Sequence, residues 1–216
     1  MSKYCSEIAW WASNGRRIVH EYDTKQLLEC VGIPVPRRNP RKGYCVVKLS
    51  SDSFPHKTDH DLVQLNIPVE LASRVGEDLQ RYDPGGKILI EEFVDDGVLE
   101  CVVGCRHDPT FGPIVVVGLG GILVELLDTV CVRLAPVDNE TARTVVLRNA
   151  QTAALLKGVR GKFAGDIDAL CDVLVRLSQF FVENATLIEE IEINPIVIRP
   201  EGQGVVALDA LMILKS

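Results

Sequence analysis

The chain has 216 residues, of which 47% are hydrophobic and 25% are charged, a composition typical of a soluble globular protein. Its formal net charge of −7 argues against a nucleic-acid backbone or an anionic membrane as the main partner. No apolar run reaches the length of a membrane span, and the first residues lack the apolar core of a signal peptide. We therefore expect a cytoplasmic protein.

Seven cysteines are scattered along the chain without a C-x-x-C pair. They stand among Val, Leu and Ile, as small buried hydrophobic side chains do. Cys101 and Cys105 would share one face of a strand, but no clustered His or third Cys accompanies them. We expect reduced thiols rather than a zinc site.

Hydrophobic spacing in the first half of the chain predicts helices followed by alternating strands and helices. The first helices fall within residues 7 to 31 and are ended by Gly32 and the prolines that follow it. Next come a strand over 44 to 49, a polar loop over 50 to 61, a short strand over 62 to 69, a helix over 70 to 81 and a strand over 87 to 94.

The second half begins with strands and continues with helices before returning to strands. A strand pair over 100 to 105 and 113 to 118, joined by a turn, is followed by strands over 122 to 127 and 130 to 134, helices over 139 to 149, 150 to 157 and 166 to 184, and strands over 188 to 193 and 205 to 208. This order predicts an α/β (α+β) protein in two lobes that meet near residues 92 to 95.

One lysine, Lys48, lies inside an apolar strand. An unpaired ammonium is costly to bury, so Lys48 either reaches water from an edge strand or ends its strand beside a bound phosphate. The loop that follows favours phosphate, because residues 56 to 59 gather a histidine, a cation and a hydroxyl. The neutral ring of His56 would be a nucleophile toward phosphoryl groups near pH 7, although such a loop is also typical of a solvated surface.

Two further segments have both a structural and a functional interpretation. Glu91 and Glu92 end an apolar strand, where they either face water or belong to a connector that meets the edge of an adenine, with Glu100 beside the ribose or a metal. Residues 118 to 121 are too short a glycine motif for a dinucleotide fingerprint. We interpret them as a turn whose exposed amides could hold an anion.

A polar pair near the end of the chain is the most informative feature. Asn194 follows an apolar run, and so does Asp209, so each is predicted to end a strand. Amide and carboxylate oxygens at strand ends suit Mg²⁺, which keeps several waters and takes further ligands from nucleotide phosphates. From these residues alone, an Asn-Pro turn and a surface Asp are the simpler interpretation.

Taken in order, these segments resemble the nucleotide-binding ATP-grasp subunit of the NDP-forming acyl-CoA synthetases. That family includes the β subunits of ADP-forming acetyl-CoA synthetase and, more distantly, of succinyl-CoA synthetase. The resemblance covers nearly the whole chain. It rests on residues 15 to 36, 46 to 48, 56 to 59, 108 to 113, 118 to 121, Glu125, Asp128, 133 to 136, 158 to 161, 192 to 195 and 208 to 210.

The resemblance implies an ATP-grasp fold of two lobes, residues 1 to 92 and 93 to 216, with the nucleotide bound between them. It also implies that His56 carries a phosphoryl group between the nucleotide and a histidine of a partner subunit, and that Glu192 steadies that phosphohistidine. The other implied roles are phosphate contact for Lys48 and Lys57, adenine contact for Glu92 and Val94, ribose contact for Glu100, and Mg²⁺ coordination for Asn194 and Asp209.

The implied activity is that of an acid–thiol ligase. Such a family interconverts acyl-CoA, ADP and phosphate with the free acid, CoA and ATP, through an acyl phosphate and phosphohistidine. The cofactors would be ATP or ADP and Mg²⁺. Nothing in this chain resembles a CoA-binding Rossmann domain, so the resemblance implies an α-type CoA-binding partner and a hetero-oligomer.

Two departures from the family motivate other interpretations. Asp61 and Leu62 stand where relatives have two glycines whose amides approach phosphates, and a carboxylate there would repel phosphate. The region between residues 36 and 92 is also shorter than in relatives. Both favour, as an alternative, a degenerate non-catalytic subunit with a regulatory or structural role. A third interpretation, another carboxylate–amine ATP-grasp ligase, keeps the nucleotide site but does not need His56.

Overall fold

The computed structural model describes residues 3–51, 61–120, 129–158 and 163–215. Its elements, in chain order, are α1 (Lys3–Ser13), β1 (Ile18–Val19), α2 (Glu21–Cys30), β2 (Tyr44–Ser50), β3 (Val63–Pro68), a 3-10 turn (Val69–Leu71), α3 (Ala72–Gln80), β4 (Lys87–Glu92), β5 (Leu99–Asp108), β6 (Gly112–Leu119), β7 (Cys131–Leu134), α4 (Asn139–Val146), α5 (Ala150–Leu156), α6 (Ile167–Glu183), β8 (Ile188–Ile198), β9 (Val205–Ala207) and β10 (Ala210–Leu214). The predicted helices and strands in these segments are confirmed in their order, whereas β1 and β10 were not predicted. The strand expected over 122 to 127 lies outside the described residues.

The chain forms two compact units. The larger comprises Met1–Val19, Thr24–Val35 and Asp96–Ser216, and the smaller comprises His20–Asp23 and Pro36–Asp95. The boundary at residues 95 and 96 lies close to the one expected at 92 and 93. The N-terminal segments differ from that expectation, because α1 and most of α2 bury their apolar side chains in the core of the larger unit.

In the part of the chain that the structure describes, the larger unit contains a seven-stranded antiparallel sheet with helices on one face. Its strand order is β1-β10-β8-β5-β6-β7, with β9 paired to β8. Helix α6 packs against β5, β6 and β8, and α4 packs against α6. Alternate residues of β5, Cys101, Val103 and Cys105, are buried beneath these helices. The predicted apolar stripe of α6 is confirmed, since Leu170, Val173, Leu174, Leu177, Phe180 and Phe181 are all buried.

Strand β8 changes its partner in mid-strand. It pairs with β10 up to Ile193 and with β9 from Ile196 onward, while β5 lies along its other edge. The expectation that Asn194 ends its strand is therefore wrong. Asn194 lies inside β8, at the point where the neighbour changes from β10 to β9, and Asp209 lies in the short link between those two strands.

The glycine motif of residues 118 to 120 is not a turn with exposed amides. Gly118 and Leu119 belong to β6, and the amides of Leu119 and Gly120 donate to Thr129 Oγ1 (3.1 Å) and to the Glu100 carbonyl (2.8 Å). A Cβ on Gly120 would lie 3.1 Å from the backbone of β5, so a larger residue would not fit there without displacing that strand. Here the glycine permits close strand packing rather than anion binding.

The smaller unit is a three-stranded antiparallel sheet, ordered β3-β2-β4, with α3 on one face. Cys45, Val47 and Leu49 of β2 point to that face and form its core with Ala72 and Leu79 of α3. The intervening residues of β2 therefore point to the other face. Among the described helices, none is long and apolar enough to cross a membrane.

Candidate functional site

In the larger unit, Asn194 and Asp209 lie side by side on the sheet. Ile193 pairs with Ala210 across β8 and β10, and the backbone N–H of Asn194 donates to the carbonyl oxygen of Asp209 over 3.0 Å. The structure thus brings together the two residues that the sequence assigned to a metal.

Glu192 joins this pair through a hydrogen bond. Nδ2 of Asn194 donates to Oε1 of Glu192 over 3.1 Å, and Oδ1 of Asp209 accepts from the backbone N–H of Ala210 over 2.8 Å. Because the amide nitrogen of Asn194 is directed at Glu192, its amide oxygen is the group available to a cation. Asn194 is exposed, while Glu192 and Asp209 are half-buried. The three residues form what we call the β8–β10 cluster.

The β8–β10 cluster has the ligand chemistry of a magnesium site. An amide oxygen and a carboxylate are hard oxygen ligands, and Mg²⁺ commonly uses only one or two protein ligands because it keeps waters and binds substrate phosphates. Within the described ranges, no group of three or more His, Cys, Asp or Glu side chains could hold a metal. Asn194 and Asp209 therefore fit Mg²⁺ delivered with a nucleotide, rather than a closed all-protein metal site.

The acidic face of β8 extends one step further, to Glu190. Glu190 and Glu192 alternate with buried isoleucines, so they share the face that carries Asn194. Arg106 of β5 lies opposite Glu190. Burial raises the pKa of Glu190, the charge of Glu192 raises it further, and Arg106 opposes the shift. Sequence reasoning missed Glu190 and Arg106, although the step of two residues from Glu190 to Glu192 and on to Asn194 was a signal for Glu190.

In the smaller unit, Lys48 is buried beside two carboxylates. It lies on the central strand β2, on the face opposite α3, and its Nζ is 2.7 Å from Oε1 of Glu21 and 3.2 Å from Oε2 of Glu91. The side chains of Lys48, Glu21 and Glu91 are 8%, 0% and 1% exposed. Neither an edge-strand lysine reaching water nor a water-facing Glu91 describes this arrangement, because each charge is neutralised inside the protein.

A second ion pair lies beside this buried triad. Nζ of Lys87 is 2.9 Å from Oδ1 of Asp23 and 4.5 Å from the ring centre of Tyr22, and the guanidinium of Arg38 lies 4.8 Å from the same ring. Cations at these distances are attracted to the face of an aromatic ring. Since Glu21, Tyr22 and Asp23 are consecutive, the first turn of α2 supplies acidic and aromatic contacts to cations of the small sheet.

The residues expected at the adenine and ribose occupy three different environments. The carboxylate of Glu92 accepts from Nε of Arg37 at 2.6 Å and from its backbone N–H at 3.1 Å. Val94 is half-buried in the segment after β4. Glu100 is exposed at the start of β5 in the larger unit, opposite Val197. Their roles toward a nucleotide remain predictions.

His56 and Lys57 lie outside the described residues. The segment that follows them contains Asp61, whose φ of 55° is in the left-handed region that glycine adopts readily. This backbone conformation accords with the resemblance, in which a glycine occupies the position. Asp61 is exposed and Leu62 is fully buried, so Leu62 contributes to the core of the smaller unit.

The cysteines behave as structural residues. Cys45, Cys101, Cys105 and Cys171 are buried, and none of the described cysteines forms a disulfide. Burial raises the pKa of Cys101 to about 12, so its thiol stays protonated at neutral pH. The expectation of small buried side chains is confirmed for these four, whereas Cys30 is exposed.

Comparison with known proteins identifies the family of this chain. A family model described as an ATP-grasp domain matches residues 11–214. The acetate–CoA ligase (ADP-forming) II subunit beta of Pyrococcus furiosus is 34% identical over 94% of this chain and 94% of its own length. The acetate–CoA ligase (ADP-forming) of Methanocaldococcus jannaschii is 31% identical over 90% of this chain, which spans only 30% of that longer protein.

A solved structure gives the same result. The dinucleotide-forming acetyl-coenzyme A synthetase 1 of Ca. Korarchaeum cryptofilum, in complex with coenzyme A and Mg-AMPPCP, has a TM-score of 0.82 and 32% identity, covering 96% of this chain and 98% of that one. Its phosphohistidine segment points towards the nucleotide-binding site of that protein. The present chain belongs to the ATP-grasp family, together with the β subunits of ADP-forming acetate–CoA ligases.

Proposed function

We propose that this chain is the nucleotide-binding subunit of an ADP-forming acyl-CoA synthetase, an acid–thiol ligase that interconverts acyl-CoA, ADP and phosphate with acid, CoA and ATP. The observation that carries the proposal is the β8–β10 cluster, in which the amide of Asn194 donates to the carboxylate of Glu192 and the backbone N–H of Asn194 donates to the carbonyl oxygen of Asp209. A relative that matches this chain nearly end to end is named as a β subunit of such a ligase.

In this function, Asn194 and Asp209 hold Mg²⁺ with the nucleotide, and the ion supplies positive charge to its phosphates. Glu192, which accepts a hydrogen bond from Asn194, stabilises a phosphohistidine in this function. Lys48 and Lys57 contact phosphates, while Glu92, Val94 and Glu100 contact the adenosine. A ring nitrogen of His56 receives the phosphoryl group and passes it to a histidine of the partner.

The partner in this proposal is an α-type CoA-binding subunit. The Pyrococcus furiosus relative carries the name of a subunit, and the Methanocaldococcus jannaschii relative has most of its length outside the match. In this assembly the α-type subunit supplies the CoA site. We place this assembly in the cytoplasm, where free cysteines such as those described here stay reduced.

Calorimetry of ATP binding with and without Mg²⁺ tests the proposed Mg²⁺ site at Asn194 and Asp209. We expect Mg²⁺-dependent binding that weakens at least about tenfold in Asp209→Asn, because one anionic ligand becomes neutral (~1.4 kcal/mol). The matched control is Asp172→Asn, an exposed carboxylate on α6 of the same unit, which should leave the affinity within about twofold. An unchanged ATP affinity in Asp209→Asn would rule out this metal site.

A degenerate subunit without catalysis is the second candidate function. The observation that favours it is the exposed carboxylate of Asp61 on a glycine-like backbone, where it would repel phosphates. This alternative predicts no Mg²⁺-dependent ATP binding by the wild-type chain. The same calorimetry therefore separates the two candidates before any variant is made.

A further inference from the structure

The face of the small sheet opposite α3 carries a buried charged layer. Lys48 and Glu91 project from neighbouring strands to this face, and Glu21 joins them from the first turn of α2. Their side chains are nearly inaccessible to water, as given above. Buried charges of this kind persist only when they are paired. An isolated ion loses its hydration on burial and gains no attraction that offsets this loss.

The two carboxylates fix the direction of the ammonium. A lysine ammonium has three N–H donors on a flexible four-carbon stem, so alone it has no preferred orientation. Glu21 and Glu91 approach Nζ at 2.7 and 3.2 Å and thereby engage the amine from two sides. Glu91 belongs to the strand beside Lys48, whereas Glu21 comes from a helix and makes the shorter contact. The pairing of β2 with β4 therefore brings Glu91 to Lys48, whereas the contact with Glu21 depends on the position of α2.

We infer that Glu21 is a positioning residue for nucleotide binding, which holds the ammonium of Lys48 in the orientation that a phosphate requires. The inference rests on the proposed function, since it takes Lys48 as a phosphate ligand. Glu21 itself does not contact the nucleotide in this arrangement. Its contribution is orientation rather than charge, because a carboxylate by itself repels phosphate.

We expect Glu21→Gln to lower the affinity only for ligands that carry phosphate. In Glu21→Gln the charge-assisted hydrogen bond to Lys48 becomes a neutral one, which is roughly half as strong, and the amine is less firmly held. We expect the affinities for ATP and ADP, measured by calorimetry on the full chain with Mg²⁺, to fall about tenfold. The affinity for adenosine, which has no phosphate, should stay within about twofold of wild type. A merely structural role would weaken all three ligands together.

The matched control is Asp78→Asn. It removes a carboxylate of the same unit from an ion pair with Arg81 in which the Asp78 and Arg81 side chains are 57% and 77% exposed. Exposed pairs contribute little, so the affinities for ATP, ADP and adenosine should all remain within about twofold. If Glu21→Gln does not fold, as judged by circular dichroism, Glu21→Asp keeps the charge but withdraws it by one methylene, and it should show the same phosphate-selective loss.

Two results would overturn the inference and are distinct from each other. The first is that the wild-type chain binds ATP and the folded Glu21 variant either binds ATP equally well or shows equal losses of affinity for ATP and for adenosine. In that case Glu21 does not position Lys48, and the proposed function stands. If the wild-type chain binds neither ATP nor ADP, the proposed function fails and the inference fails with it.

Discussion

The ammonium of Lys48 forms ion pairs with two carboxylates that have almost no contact with water. Removing one partner of a buried ion pair costs more than the pair itself contributes, because the remaining charge loses a compensating partner. We therefore expect a single substitution in this triad to lower the free energy of unfolding strongly. The sequence showed a lysine within an apolar strand, but it could not show which carboxylates form ion pairs with that lysine.

We predict that Lys48→Met lowers the free energy of unfolding by about 3–5 kcal/mol, because the buried carboxylates of Glu21 and Glu91 each lose a salt-bridge partner. Urea denaturation followed by circular dichroism measures this loss. The double variant Lys48→Met with Glu21→Gln should recover part of it, since one of the two buried carboxylates is gone. Glu21→Gln alone completes the cycle, and a loss in the double variant equal to the sum of the two single losses would show that the Lys48–Glu21 contact carries no coupling energy.

At the scale of elements, α6 is anchored by the residue that precedes it. Oδ1 of Asp166 accepts from the backbone N–H of Ala169, which caps the helix, and Oδ2 accepts from the N–H of Gly204 in the loop between β8 and β9. One buried carboxylate thus satisfies two backbone donors from separate elements. This position matters to the site because α6 packs beneath β8, the strand that carries Glu192 and Asn194.

We predict that Asp166→Ala destabilises the protein by about 2–3 kcal/mol, the sum of a lost cap and an unsatisfied backbone donor. Asp166→Asn keeps one acceptor oxygen for the cap but places an amide against the other donor, so its loss should be about half as large. Thermal unfolding of the three proteins gives the order. A loss for Asn as large as that for Ala would mean that the cap contributes nothing.

Element prediction succeeded where periodicity was strong and failed where a strand changed partners. The apolar stripe of α6 was readable because buried residues recur at helical spacing. The end of β8 was not, because Asn194-Pro195 has the composition of a turn. The strand continues through it only because β9 replaces β10 as the hydrogen-bonding neighbour, a tertiary event that the local sequence does not encode.

At the scale of the whole molecule, the proposed reaction needs a second polypeptide. With γ-labelled ATP, Mg²⁺ and an α-type partner, we predict that label is trapped on this chain and is lost in His56→Asn, because the ring nitrogen that receives the phosphoryl group is absent. The matched control is His60→Asn, four residues further on in the same segment, which should keep the label. Label retained by His56→Asn would remove His56 from the reaction, while no label on wild type would favour the non-catalytic alternative.

The sequence by itself determined the order of elements, the α/β class and the family, because apolar periodicity and motif order are local properties of a chain. It also identified Asn194, Asp209 and Lys48 as the residues to examine. Only the tertiary structure decided their partners. Antiparallel register placed Asn194 beside Asp209, and helix packing brought Glu21 to Lys48 across 27 residues. Such pairings depend on how elements meet in space, and no local pattern records them.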